Sequence, residues 1–124
     1  MMIPYSKLES MSETEIARLT RQLPDDVRQA LRDVPVHLHA RPSREIADDL
    51  GDDLLGLFTG EAKHERGETL LPEPPQIHLY LENIWHFADQ QIDTYMEELR
   101  VTLLHELGHY LGWGEEDMER YGIA

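Results

Sequence analysis

The segment from Asp89 to Leu111 contains no proline and one glycine, Gly108. Within it Ile92, Met96, Leu99, Leu103 and Leu107 recur at three- and four-residue spacing. Side chains at that spacing share one face of an α-helix, so the segment predicts a long amphipathic helix with a buried stripe. Such a stripe must be covered by a second layer of structure. Gly112 and Gly114 stop the helix, and Glu115 to Tyr121 suits a short terminal helix.

The preceding sequence offers that layer. Ser12-Glu13-Thr14-Glu15 reads as a capping box, with Ile16, Leu19 and Leu23 on the helical face that follows. Pro24 interrupts, and Asp25-Asp26 opens a second short helix carrying Val27, Ala30 and Leu31. VPVHLHA, Val34 to Ala40, alternates apolar and polar residues and predicts a strand with one buried face. Pro35 puts it near a strand start or an edge. Ser43 to Leu50 suits a short helix, and Leu54 to Thr59 a short strand ending at Gly60. Glu61 to Pro75 is charged, then proline-rich, and reads as a surface loop. Gln76 to Leu81 (QIHLYL) alternates again, with Ile77, Leu79 and Leu81 on one side. Helices, strand, short helix, two strands and a long helix make an α+β fold, a small sheet with helices packed on it. At 124 residues a single domain, 1–124, is expected.

The long helix carries His105-Glu106-Leu107-Gly108-His109, an H-E-x-x-H match. Residues four apart on a helix lie on one face, so two imidazoles there can share one Zn²⁺. Glu106 sits one step round the helix. It can reach a water at the metal without ligating the metal itself, the position of a general base. With 7 His and 15 Glu in the chain, chance yields about 0.05 such matches, so the five residues alone are suggestive. The continuation, HELGHYLGWGEED, adds Gly112 and then an acid at Glu115, which lowers that expectation to roughly 0.0006. Gly112 can take a left-handed conformation that turns the chain back toward the metal. Glu115 is then the leading third ligand, with Glu116 and Asp117 as alternatives. Two His and one carboxylate leave a fourth position open to water, the catalytic arrangement. Blander readings exist: histidines near a helix C-terminus are favoured by its dipole, and an acidic run suits the first turn of a following helix.

Other features narrow the function. There is no cysteine, which excludes a disulfide framework, a thiol nucleophile and a Cys-ligated metal. Lys and Arg number 11 against 25 Asp and Glu, a formal charge of −14 that repels phosphate backbones and anionic lipid. No nucleic-acid or membrane partner is therefore expected. The N-terminus, MMIPYSKLESMSETE, lacks a basic region followed by an apolar one, and no apolar run matches a membrane span, so a cytoplasmic protein is expected. His37 and His39 share a strand face and could bind a second metal, although a half-exposed strand face explains them more simply. His64, His78 and His86 have no partner at ligand spacing. Met118 suits core filling. Tyr80, Tyr95, Tyr110 and Tyr121 are candidate donors to an oxyanion.

HELGHYLGWGEED resembles the metzincin-like pattern H-E-x-x-H-x-x-G-x-x-(H/D) of the zincin metallopeptidases, with Glu115 at the third-ligand place. It is most similar to a family of small bacterial minimal zincin-like metallopeptidases. LLGLFTG (Leu54 to Gly60), LPEPPQIHLYLENI (Leu71 to Ile84) and the Leu23-Pro24 break resemble that family's upstream segments. The resemblance implies a compact zincin-like core, with a small mixed sheet, N-terminal helices and the motif helix packed beneath. It also implies that Gln76 to Leu81 rims the cleft and takes a peptide as an added strand.

The expected function is a zinc-dependent metallopeptidase. His105, His109 and Glu115 hold Zn²⁺, Glu106 is the catalytic base, and a peptide or protein is the substrate. Two alternatives keep the metal. One is a metal-dependent hydrolase acting on RNA. The other is a non-enzymatic interaction module whose metal ties the C-terminal tail to the helix.

Overall fold

The computed structural model describes residues 2–65, 67 and 70–123. Helix α1 spans Tyr5–Gln22 and α2 spans Asp25–Asp33. Strand β1 is Val36–His39, α3 is Arg44–Leu50 and β2 is Gly56–Thr59. A 3₁₀ turn at Lys63–Glu65 leads toward β3, Gln76–Tyr80. Helix α4 (Leu81–Phe87), the long α5 (Ile92–Leu111) and α6 (Glu115–Arg120) complete the chain. The α+β expectation holds, as does the order of its elements. Of the loop expected over Glu61–Pro75, residues 66, 68 and 69 lie outside the described residues.

The sheet has the order β1-β3-β2 and is mixed. Strand β1 runs parallel to β3, with Val36 opposite Ile77 and Leu38 opposite Leu79. Strand β2 runs antiparallel to β3, with Gly56 opposite Leu79 and Phe58 opposite Ile77. Gln76 to Leu81 therefore does not form a cleft edge: β3 is the middle strand, and β2 and β1 are the edges. Alternation in a sequence reports which face of a strand is buried, not its lateral place in the sheet.

One sheet face packs into the core through Ile77 and Leu79, both fully buried. Helix α5 is the other half of that core. Leu99, Leu103 and Leu107 are buried as their spacing predicts, joined by Tyr95, Leu104 and Tyr110. Burying one such leucine contributes roughly 1.5–3 kcal/mol, so α5 is anchored along most of its length.

Three local details differ from the sequence reading. First, α1 begins at Tyr5 behind Pro4, whose φ of −64° suits a helix entry, rather than at Ser12. Ser12 is fully buried within the helix, and its hydroxyl lies 2.6 Å from that of Tyr95. Second, α4 starts directly from the end of β3 and buries Leu81, Ile84 and Trp85. Third, Asp89 and Gln90 both take positive φ (53° and 57°). That left-handed step separates α4 from α5, so the long helix starts at Ile92.

Candidate metal centre

At 100° per residue, His105, His109 and Gly112 fall within one narrow sector of α5. Over residues 102–111 the other positions are buried or half-buried, so around the motif this sector is the solvent face. The two imidazoles are accordingly half exposed, at 50% and 54% of their side chains. Their centroids stand 5.1 Å apart with planes at 79°. Glu106 lies at the border of the buried face and is only 13% exposed. Its carboxylate is 3.5 Å from His105 Nδ1 and 4.0 Å from His109 Nε2. One ligand atom from each of the three lies within 4.8 Å of the others. Two imidazole nitrogens on one helix face suit a divalent metal such as zinc, and the carboxylate beside them is close enough to reach a water held there.

Glu106 is held from the sheet side. A β-carbon on Gly56 would stand 3.2 Å from Glu106 Cγ and 2.7 Å from Thr102 Cγ2. The missing side chain in β2 thus lets the edge strand lie against α5 beside the carboxylate. Gly56 was not singled out by the sequence. Its signal is a glycine interrupting an apolar strand.

The C-terminal side of the centre is built by α6. Gly112 closes α5 in the left-handed conformation (φ 72°, ψ 31°), and the Trp113 N–H donates to Gly108 O at 2.9 Å. A β-carbon on Gly108 would lie 2.8 Å from Met118 Cε and 3.0 Å from Trp113 Cε3. Met118 is therefore half-buried against the motif helix at Gly108, outside the hydrophobic core in which the sequence reading put it. Trp113 stacks on Tyr121 at 4.6 Å, tying the end of α6 to the turn. Glu115 and Glu116 are exposed in the first turn of α6, whose N-terminus favours their charge. Asp117 accepts a hydrogen bond from the Gly114 N–H at 3.2 Å. The three acids stand outside the 4.8 Å group of His105, Glu106 and His109. His64, from the 3₁₀ turn, comes beside the same helix end. A β-carbon on Gly112 would stand 3.4 Å from its Nδ1.

The tyrosines have other surroundings. Tyr95 and Tyr110 are fully buried, Tyr95 against Ser12 and Trp85, Tyr110 against Phe58. Tyr80 is nearly buried, and burial, reinforced by the charge of Glu106, pushes its hydroxyl above the ordinary tyrosine value.

A His-Glu-x-x-His helix beneath a small mixed sheet defines the zincin class of metal-dependent hydrolases. The sequence agrees: the model of the zincin-like metallopeptidase family matches residues 31–123. The chain belongs to that family. The match begins near the end of α2 and leaves α1 outside it. No curated protein matches the chain. Membership implies a divalent metal, typically zinc, and peptide or protein substrates. No helix among the described residues is long and apolar enough to cross a membrane.

Proposed function

We propose that this chain is a zinc-dependent peptidase in which His105, His109 and Glu115 hold the metal and Glu106 is the general base. The observation that carries this reading is the placement of Glu106. Its carboxylate lies within 4.0 Å of both imidazoles while its stem is pinned against Gly56.

Bound zinc supplies Lewis acidity, polarising a carbonyl and easing deprotonation of water at neutral pH. Glu106 takes the proton from the attacking water on a carboxylate oxygen and delivers it to the leaving amine. Its low exposure limits the orientations it samples, which favours proton transfer along one path. Glu115 follows the Gly112 turn and is exposed, hence free to serve as the third ligand. Glu116 and Asp117 are the alternatives, and Asp117 is already engaged by the Gly114 N–H. The substrate pairs with β2, which among the described residues bonds β3 on one side only. Strand addition there would run the peptide past Glu106.

The test is metal content followed by cleavage of a peptide library. The native chain is expected to bind zinc that His109→Ala loses. Glu106→Gln is expected to keep the zinc and lose cleavage. Equal cleavage by Glu106→Gln sinks the mechanism, and a native chain that binds no zinc sinks the whole reading.

A further inference from the structure

The sheet face turned away from the core carries a second cluster of ligating side chains. His37 and His39 project from β1, and His78 projects from β3 directly opposite His37. His39 Nε2 lies 2.9 Å from His78 Nδ1. The three ring centroids form a triangle with sides of 5.2, 5.2 and 6.4 Å. As they stand the three rings do not bring one nitrogen each within 4.8 Å of one another, so an ion is gathered by turning the rings about their side-chain torsions.

We propose that His37, His39 and His78 form a second metal site, for a borderline divalent ion of the Co²⁺, Ni²⁺, Cu²⁺ and Zn²⁺ series. Imidazole clusters select that series over Mg²⁺ and Ca²⁺, which take oxygen ligands. The site is separate from the motif helix and stands whether or not the chain is a peptidase.

The donors are in the ligating state. A hydrogen bond between two imidazoles uses one N–H and one lone pair, so at least one ring of the pair is neutral. Burial, followed by repulsion from the neighbouring imidazoles, pushes both His39 and His78 below the ordinary histidine value. Neutral imidazole is the form a metal binds. Among the described residues no carboxylate forms an ion pair with these rings, although the chain holds 25 acidic residues. The cluster is therefore not a set of histidines recruited as cations.

The surroundings admit an ion. His39, His78 and Tyr80 line a groove of about 170 Å³ together with Ser43, Leu57 and Thr59. Its hydroxyls can bond waters completing the coordination shell. Two nitrogens on one tetrahedral zinc stand roughly 3.3 Å apart with their lone pairs converging on it, so His39 and His78, which now point at each other, must both swing off that line as the metal replaces the shared proton. His37 is exposed and turns about its own side-chain torsions to complete the set. The ion would then clamp the edge strand β1 to the middle strand β3.

The experiment titrates Co²⁺ into the chelator-stripped full chain carrying His105→Ala and His109→Ala, which silences the motif helix. One equivalent is expected to bind, with d–d absorption and shifts of the His37, His39 and His78 ring protons in NMR spectra. Adding His39→Ala is expected to abolish that equivalent, and adding His37→Ala to weaken it at least tenfold. No bound Co²⁺ in the helix-silenced chain overturns the proposal. So does a bound equivalent that survives His39→Ala, which assigns it to surface carboxylates. If His39→Ala does not fold, as judged by circular dichroism, the exposed His37→Ala variant and the ring-proton shifts decide.

Discussion

Gly56 of the edge strand lies against Glu106 of the motif helix, so close that a β-carbon on the glycine would stand 3.2 Å from Glu106 Cγ. The same β-carbon would meet Thr102 Cγ2 at 2.7 Å and the backbone oxygen of His78 at 3.2 Å. Alanine gains roughly 0.5–1 kcal/mol over glycine in backbone entropy. Overpacking against a buried threonine and a backbone atom costs about 1–3 kcal/mol and outweighs it. Gly56→Ala should therefore lower the denaturant midpoint. Because it also displaces the proposed base, it should reduce peptide cleavage more than zinc content. An alanine variant as stable as the parent would show that β2 does not press on α5.

Gly108 sets a similar contest on the other side of the helix. Glycine inside a helix costs about 1 kcal/mol relative to alanine, so Gly108→Ala gains that much in propensity. The new methyl would meet flexible Met118 at 2.8 Å and the Trp113 ring at 3.0 Å. Met118 can move aside. Trp113 is stacked on Tyr121 and cannot. The variant should be destabilised by about 1 kcal/mol net, with faster amide exchange across α6. Combining it with Trp113→Leu should recover the propensity gain. A stabilised single variant would place the constraint elsewhere.

The third ligand can be assigned by comparing the three acids at the start of α6. Glu115→Ala should weaken zinc binding at least tenfold while leaving the fold intact, since the side chain is exposed. Glu116→Ala should change neither. Asp117→Ala should act on stability instead, because it removes the acceptor of the Gly114 N–H, a loss of about 0.5–2 kcal/mol. Zinc competition against a chromophoric chelator separates these outcomes. Unchanged affinity in Glu115→Ala would move the role to a neighbouring acid.

What the sequence conveyed about this fold was mostly what is local. The α5 stripe, its stop at Gly112 and the placement of His105, Glu106 and His109 follow from a 3.6-residue period. The strands β1 and β3 follow from alternation, and β2 from a short apolar run ending at Gly60. Ser12 shows where locality fails. Its capping pattern is sound, yet its hydroxyl is used by Tyr95, 83 residues away, and the helix starts at Pro4 instead. Helix α4 had no turn signal before it, and the left-handed pair Asp89-Gln90 contains no glycine to announce the break. The middle position of β3 depends on pairing partners that a single strand does not name. Contacts such as Gly56 with Glu106 and His64 with Gly112 exist only once distant segments are folded together.

The Ser12–Tyr95 pair also shapes how the protein responds to alkali, alongside Tyr80 and Tyr5, whose hydroxyls burial likewise pushes up. Burial pushes the Tyr95 hydroxyl up to about 12, partly opposed by its hydrogen bond with Ser12. The unfolded tyrosine ionises near 10, so between these values the unfolded chain has already lost its proton and the folded one has not. The contribution to stability is thus fully present below pH 10 and is lost as pH rises through about 12. A shift of this size corresponds to about 2–3 kcal/mol over the window. Tyr95→Phe should abolish this loss while costing about 1–3 kcal/mol at neutral pH, because Ser12 Oγ is left buried without its partner. Adding Ser12→Ala should return part of that cost, since removing both groups leaves nothing unsatisfied. Urea denaturation of the parent and the two variants from neutral to strongly alkaline pH measures all three effects. A parent chain whose alkaline loss matches that of Tyr95→Phe would mean that Tyr95 ionises without unfolding the core.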